Sequence, residues 1–134
     1  MAIIRHDSLE IRDELHVVRV RQAVREMAAT LGFNLVEQTK LVTAASELAR
    51  NTVIYGGGGT AEIQALEENG RRGLRVHFVD QGPGIPDIEL ALRDGFTTGS
   101  GLGLGLGGAK RLVNEFLIDT TPGGGTRVTM TRWK

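Results

Sequence analysis

The segment Ser46-Glu47-Leu48-Ala49-Arg50-Asn51-Thr52-Val53-Ile54-Tyr55 runs directly into four glycines, Gly56-Gly57-Gly58-Gly59. The apolar stripe through this region recurs at helical spacing and consists of Leu41, Ala44, Ala45, Leu48 and Thr52. The glycines end the pattern, because glycine is a poor helix former and favours loops. The stretch therefore predicts an amphipathic helix that ends at about Tyr55, with Glu47 and Asn51 one turn apart on the same side.

The region on the N-terminal side predicts the start of this helix and one more helix before it. Asn34 and Glu37 have the spacing of an N-cap and its capping-box partner. Upstream, a first helix is predicted from about Glu14 to Leu31 and is closed by Gly32; its apolar stripe comprises Val17, Val20, Val24, Met27, Ala28 and Leu31. The opening residues, up to about Arg12, alternate in polarity and predict a strand or two extended pieces.

The region on the C-terminal side predicts two β-hairpins separated by helical and glycine-rich segments. The hairpin strands are expected at residues 61–67 and 73–80, around Asn69-Gly70-Arg71-Arg72, and at residues 116–121 and 126–132, around Pro122-Gly123-Gly124-Gly125. Helices are expected at residues 87–93 and 108–115. Strands in antiparallel pairs with helices between them predict an α+β fold, a two-layer sandwich with helices on one face of a mixed, mostly antiparallel sheet.

Length and composition narrow the classes of function. With 134 residues the chain is predicted to form one domain over residues 1–134. Sixteen basic residues balance 16 acidic ones, so protein or small-molecule partners are expected, and neither nucleic acid nor a membrane. The chain has no cysteine and shows no signal peptide or apolar span, which makes the cytoplasm the expected location.

Glu47 and Asn51 form the first candidate for chemistry. A carboxylate can take the proton of an attacking hydroxyl, and an amide oxygen is a hard ligand suited to Mg²⁺. The same pair also fits an ordinary solvated helix face, and the pair alone does not decide between the two.

Asp80-Gln81-Gly82-Pro83-Gly84 forms the second candidate, because it follows directly on a predicted strand. The Asp80 carboxylate could accept a hydrogen bond from the amino group of a base, with Gly82 and Gly84 keeping the turn thin. A plain strand-to-turn transition explains the same residues.

The run from Gly99 to Gly108, in which glycine alternates with leucine, forms the third candidate. Its backbone N–H groups and the following helix N-terminus could cradle phosphate, whereas the other interpretation is a flexible loop. The run also satisfies a dinucleotide-binding pattern formally, but no predicted strand precedes it. No P-loop motif occurs in the chain.

These three elements in this order resemble the GHKL ATPase and kinase superfamily over nearly the whole chain. The resemblance implies a Bergerat ATP-binding fold that uses ATP and Mg²⁺, with Glu47 as catalytic base and Asn51 as magnesium ligand. It implies that Asp80, Gly82 and Gly84 bind adenine, and that Thr126 supports Asp80. It further implies that Gly101, Gly103 and Gly105 lie at the end of an ATP lid formed by about residues 88–100. Because the alternation of leucine and glycine continues beyond these positions, the resemblance leaves open which glycines contact phosphate.

Within the superfamily, the chain has no room for a transducer or phosphoacceptor domain and resembles the RsbT-type switch kinases. The segments that carry this likeness are residues 46–51, 79–85, 94–98 and 108–116. The resemblance implies a serine/threonine kinase that acts on a small STAS-domain antagonist and can also activate a PPM-type phosphatase. The alternative is a binding module that uses nucleotide only to set its shape.

Two groups of polar residues were given no catalytic role. The three histidines, His6, His16 and His77, are interpreted as surface or strand positions. A group of arginines in the first helix, at positions 19, 21 and 25, fits either a partner-facing surface or a solvated helix face.

Overall fold

The computed structural model describes residues 1–85, 92, 104–121 and 123–134. These residues form five strands and three helices: β1 (Ala2–Ile11), α1 (Glu14–Leu31), α2 (Leu35–Ile54), β2 (Gly59–Glu68), β3 (Arg71–Asp80), α3 (Leu104–Arg111), β4 (Glu115–Thr120) and β5 (Thr126–Trp133). The strands make one sheet in the order β1-β2-β3-β5-β4, and each of these four pairings is antiparallel. The predicted α+β sandwich is confirmed, and the described strands include no parallel pair.

The two long helices form where they are predicted, and capping residues mark their ends. The Asp13 side chain accepts the backbone N–H of His16 at the start of α1, and Gly32 ends that helix in the left-handed conformation at φ 91°. At the start of α2, Asn34 and Glu37 make the reciprocal hydrogen bonds of a capping box.

The apolar core lies between the helices and one face of the sheet. Helices α1 and α2 contribute side chains that include Val17, Val20, Val24, Met27, Leu41 and Leu48, and the strands contribute Ile63, Leu74, Val76, Phe78, Val128 and Met130. Alternate residues of each strand point to the opposite face, which the three helices leave uncovered. We call that surface the helix-free face.

The central hairpin is longer than predicted, because its turn is tighter. Asn69 and Gly70 both have positive φ, at 52° and 78°, which is the signature of a two-residue type I′ turn. Arg71 and Arg72, expected in the turn, instead begin β3 and pair with Glu68 and Glu67.

The boundaries predicted for the last helix were wrong. Helix α3 begins at Leu104 and ends at Arg111, four residues earlier than expected at each end. The chain leaves the helix early because it joins the sheet: the backbone N–H of Asn114 donates to Thr131 O at 3.0 Å, and Glu115 pairs with Thr131. The helix predicted at residues 87–93 lies outside the described residues apart from Leu92.

No helix among the described residues is both long and apolar enough to cross a bilayer.

Candidate nucleotide-binding site

Glu47 and Asn51 are fixed by the buried face of α2. Their neighbours Leu48, Ala49 and Thr52 are almost fully buried, and the Thr52 hydroxyl donates to Leu48 O at 2.9 Å. This packing prevents rotation of the helix about its axis and keeps Glu47 and Asn51 on its half-buried flank. The Asn51 side chain makes no hydrogen bond within the described part of the chain, so its amide oxygen is free to bind a cation.

Arg50 links Glu47 to the neighbouring helix. Its guanidinium lies 3.5 Å from the Glu47 carboxylate and 3.5 Å from the carboxylate of Glu14 at the start of α1. The Glu47 side chain is 42% exposed, so this ion pair contributes little stability and serves mainly to restrict where the carboxylate points. The sequence interpretation gave Arg50 no role, because the partner on α1 is 36 residues away along the chain.

Asp80 ends β3 and lies directly against the loop that follows α2. One of its carboxylate oxygens, Oδ1, accepts the backbone N–H of Gly82 at 2.9 Å. A Cβ added at Gly56 would lie 2.4 Å from the Asp80 Cβ, and one added at Gly82 would lie 2.8 Å from the Gly56 Cα. The two glycines are therefore required for the close approach of both loops to Asp80.

This packing brings two of the three predicted elements together. Gly56 touches Asp80 and is also bonded to α2, since its N–H donates to Asn51 O at 3.4 Å. The helix end that carries Asn51 and the strand end that carries Asp80 consequently form one continuous surface. Sequence reasoning singled out the glycine cluster at 56–59 but did not assign Gly56 this contact.

Gly125 and Gly84 each allow a close approach between two backbone segments near Asp80. Gly125 has a φ of +90°, and a Cβ there would lie 2.2 Å from the Asp80 carbonyl oxygen. Gly84 has a φ of +81°, and a Cβ there would lie 2.6 Å from Thr121 O. Both positions favour glycine for conformation and for space.

Thr126 lies beside Asp80 and supports the turn that follows it. It pairs with Asp80 across β3 and β5 and with Thr120 across β5 and β4. The hydroxyls of Thr126 and Thr120 are 3.0 Å apart, and Thr120 Oγ1 also accepts the N–H of Ile85 at 2.9 Å. Thr120, which the sequence interpretation missed, is detectable as the residue that flanks the Pro122–Gly125 turn opposite Thr126.

The glycine-rich run is described only in part. Gly105 lies in the first turn of α3, whereas Gly101, Gly103 and the predicted lid at residues 88–100 lie outside the described residues, apart from Leu92. Helix α3 packs on α2, the helix that carries Glu47 and Asn51.

The described residues contain no group of three or more acidic or histidine side chains that could hold a metal. The amide oxygen of Asn51 nevertheless fits Mg²⁺, because this ion is commonly held by one or two protein oxygens together with substrate phosphates. The glycines packed around Asp80 likewise fit a flat ring that lies against backbone.

Comparison with known proteins places the chain in a family. Residues 36–134 match the model for histidine kinase-, DNA gyrase B- and HSP90-like ATPases. The chain is 44% identical to the serine/threonine-protein kinase RsbT of Bacillus subtilis over 125 residues, which is 93% of this chain and 94% of RsbT. It is 32% identical to the anti-sigma F factor of Thermoanaerobacter sp. over 119 residues, covering 84% of this chain and 82% of that protein.

Solved structures support the same fold. The crystal structure of the RsbU and RsbW domains of Rv1364c from Mycobacterium tuberculosis superposes with a TM-score of 0.66 at 25% identity, covering 97% of this chain and 32% of that longer one. The mycobacterial sensor histidine kinase MprB gives a TM-score of 0.55 at 20% identity, with 96% and 97% of the two chains covered. The GHKL resemblance is confirmed, and this chain belongs to the family of histidine kinase-, DNA gyrase B- and HSP90-like ATPases, with RsbT and the anti-sigma F factors among its relatives.

Proposed function

We propose that this chain is a serine/threonine protein kinase that transfers the γ-phosphoryl group of ATP to a hydroxyl of a small STAS-domain antagonist protein in a bacterial partner-switching pathway. One observation carries the proposal. Gly56 packs directly on Asp80 and donates its N–H to Asn51 O, and Glu47 lies one turn before Asn51 on the same helix. This contact supports a shared site in which Glu47, Asn51 and Asp80 would act as proton acceptor, cation ligand and acceptor for a base amino group.

Asp80 and its glycines are proposed to bind the adenine. The carboxylate keeps one oxygen on Gly82, which leaves the other to accept from the exocyclic amino group. Gly82 and Gly84 allow the ring to lie against the turn, and Thr126 holds that turn through Thr120. A base without the amino group would leave the carboxylate unpaired, which favours adenine over its analogues.

Asn51 is proposed to hold Mg²⁺, and the glycines at positions 101, 103 and 105 to approach the phosphates. ATP supplies the phosphoryl group, and Mg²⁺ offsets the negative charge that phosphates and nucleophile bring together. The chain itself contributes positioning: α2 is immobilised by its buried face, so Asn51 is held in place before nucleotide binds.

Glu47 is proposed as the general base. It lies one turn from Asn51, and Arg50 restricts its carboxylate at 3.5 Å. A seryl or threonyl hydroxyl must lose its proton as it attacks phosphorus, and a positioned carboxylate is suited to accept that proton.

Sequence similarity supports a kinase more strongly than a pure binding module. The identity to the RsbT protein kinase is 44%, whereas the identity to the anti-sigma F factors of Thermoanaerobacter is 32%. The anti-sigma relatives nevertheless favour a second role, in which the same domain binds and regulates a protein partner. We extend that role to activation of a PPM-type phosphatase. The cytoplasmic location stays a prediction.

The deciding experiment compares Glu47→Ala with Glu26→Ala, a control at an exposed glutamate of α1. Purified proteins are incubated with γ-labelled ATP, Mg²⁺ and the STAS-domain proteins encoded beside this chain, while ATP binding is measured by calorimetry. Glu47→Ala is expected to bind ATP normally and to lose transfer by about 100-fold or more, the usual contribution of a positioned base. The control is expected to retain both.

Two outcomes contradict parts of the proposal. Undiminished transfer by Glu47→Ala removes Glu47 as the base. Absence of transfer by the parent protein, together with intact partner binding, leaves the nucleotide-dependent binding module as its function.

A further inference from the structure

The helix-free face carries a polar cavity that the nucleotide site does not use. Its volume is about 270 Å³. Its lining residues come from three adjacent strands: Arg75 and His77 on β3, Arg127, Thr129 and Thr131 on β5, and Glu115, Leu117 and Asp119 on β4. Asp80 and Thr126 point to the opposite, helix-covered side, because each is an odd number of residues from these neighbours. The sheet therefore separates the two sites.

His77 forms the centre of the cavity and is uncharged at neutral pH. It is only 8% exposed, and its Nδ1 lies 2.7 Å from Thr129 Oγ1. Burial, followed by the charges of Arg127 and Arg75, lowers the pKa of His77 to about 4, whereas Glu62 opposes this shift only weakly. His6 acts in the same direction as the arginines. The cavity therefore holds a neutral imidazole together with the two arginines that also line it.

The two arginines are held differently. Arg75 is held toward β2, because its Nε donates to Gln64 Oε1 at 2.9 Å and its Nη1 lies 4.0 Å from Met1 Sδ. Arg127 lies directly across β5 and β4 from Asp119, yet the two side chains form no ion pair in the described part of the chain. The cavity thus contains a guanidinium fork without a carboxylate partner, next to an uncharged polar floor of His77 and Thr129.

We propose that this cavity binds a small oxyanion, a carboxylate or a phosphate group, at the guanidinium of Arg127, with Arg75 at the edge of the site. The planar guanidinium fork matches the two oxygens of such a group. His77 and the Thr129 hydroxyl provide polar contacts at the floor. The acidic side chains of Glu115 and Asp119 on the β4 side repel a polyanion, and the cavity is too small for a nucleotide, whose pocket would require several hundred Å³.

The binding test uses the full chain at pH 7 and constant ionic strength, titrated separately with sodium acetate and sodium phosphate, with sodium chloride as the control salt. Amide chemical shifts of β3 and β5 report binding at the helix-free face, apart from phosphate that enters the nucleotide site. Saturable shifts at residues 75–77 and 127–131 are expected with acetate or phosphate and not with chloride. The anion that binds more tightly identifies the group the site is built for.

Variants distinguish a specific anion-binding site from nonspecific attraction of anions to surface arginines. Arg127→Ala is expected to weaken binding by about tenfold or more, because a charge-assisted hydrogen bond is lost. Arg127→Lys keeps the charge but loses the fork and should be intermediate. The control Arg21→Ala, at an exposed arginine of α1, should bind like the parent. No saturable shift in the parent, or equal binding by Arg127→Ala and Arg21→Ala, overturns the proposal.

A second measurement follows the His77 ring by NMR. A bound anion offsets the two arginines, so the pKa of His77 should rise by about one pH unit in its presence. The same addition should leave the pKa unchanged in Arg127→Ala. An unchanged pKa in the parent at saturating anion places the anion elsewhere and also overturns the proposal.

Discussion

The two faces of the sheet come from the same strands but differ in what they contain. On the helix-covered face, alternate residues such as Val76 and Phe78 are buried under α1 and α2, and the row ends at Asp80. On the helix-free face the intervening positions of the same strand include the titratable residues Arg75 and His77. Strand β3 therefore contributes core residues and the proposed adenine ligand Asp80 to one face, and titratable groups to the other. The difference shows that a residue's side of the sheet, more than its place in the sequence, decides what it can do.

The largest effect is expected from a core substitution. Phe78 is 2% exposed in the core, whereas Leu117 on the helix-free face is 67% exposed. Phe78→Ala should lower the free energy of unfolding by about 3–5 kcal/mol, because it leaves a cavity under the helices. Leu117→Ala should change it by less than ~0.5 kcal/mol. Urea unfolding of both variants measures these changes. Equal losses in the free energy of unfolding would show that the two faces do not differ in their contribution to stability.

Asp80→Asn tests whether the last residue of β3, on the helix-covered face, binds adenine. ATP should bind about 10- to 100-fold more weakly, because the amide no longer offers a charged acceptor to the adenine amino group. The fold should persist, since Asp80 is only half-buried and Asn can still accept the N–H of Gly82. Calorimetric titration with ATP, alongside thermal unfolding, measures both. Unaltered affinity would remove Asp80 from the adenine site.

Asn51→Ala should separate the binding of Mg²⁺ from the binding of the adenine ring. The dependence of ATP affinity on Mg²⁺ should largely disappear, with a loss of about tenfold at saturating Mg²⁺, because the phosphates lose a metal anchor. Binding of adenosine, which lacks phosphates, should be unchanged. A variant that keeps its magnesium dependence would make Asn51 an ordinary helix-surface residue.

The smallest effect is expected on the helix-free face and depends on pH. The pKa of His77 is about 4 in the folded protein, compared with an ordinary value of 6.5. The unfolded chain therefore binds more protons between these values, so stability is complete above about pH 6.5 and falls as the pH drops towards 4. His77→Gln should remove about 1–2 kcal/mol of this pH dependence, allowing for partial access of solvent.

Urea unfolding at pH 7 and pH 5 checks this expectation. His6→Gln, at an exposed histidine of β1, is the control for loss of a histidine as such. Parallel pH profiles for the parent and His77→Gln would show that burial of this imidazole has no energetic consequence.

Much of the fold could be predicted because the signals are local. The stripes and caps of α1 and α2 lie within single turns of helix, and both helices agree with prediction to within about a residue. The bounds of α3 were wrong because Asn114 is drawn into the sheet by Thr131 and Trp133, which follow it by 17 and 19 residues. Local preference for helix is overridden there by pairing with β5.

The sequence by itself determined the family, the order of elements and the residue types of the candidate site, because periodicity, caps and motif spacing are carried by neighbours along the chain. Only the tertiary structure decided which of these residues meet. The contact of Gly56 with Asp80, the link from Arg50 to Glu14 and the pocket around His77 join segments that are distant in sequence. Such contacts depend on strand register and helix packing, and these are settled by burial of the whole core at once.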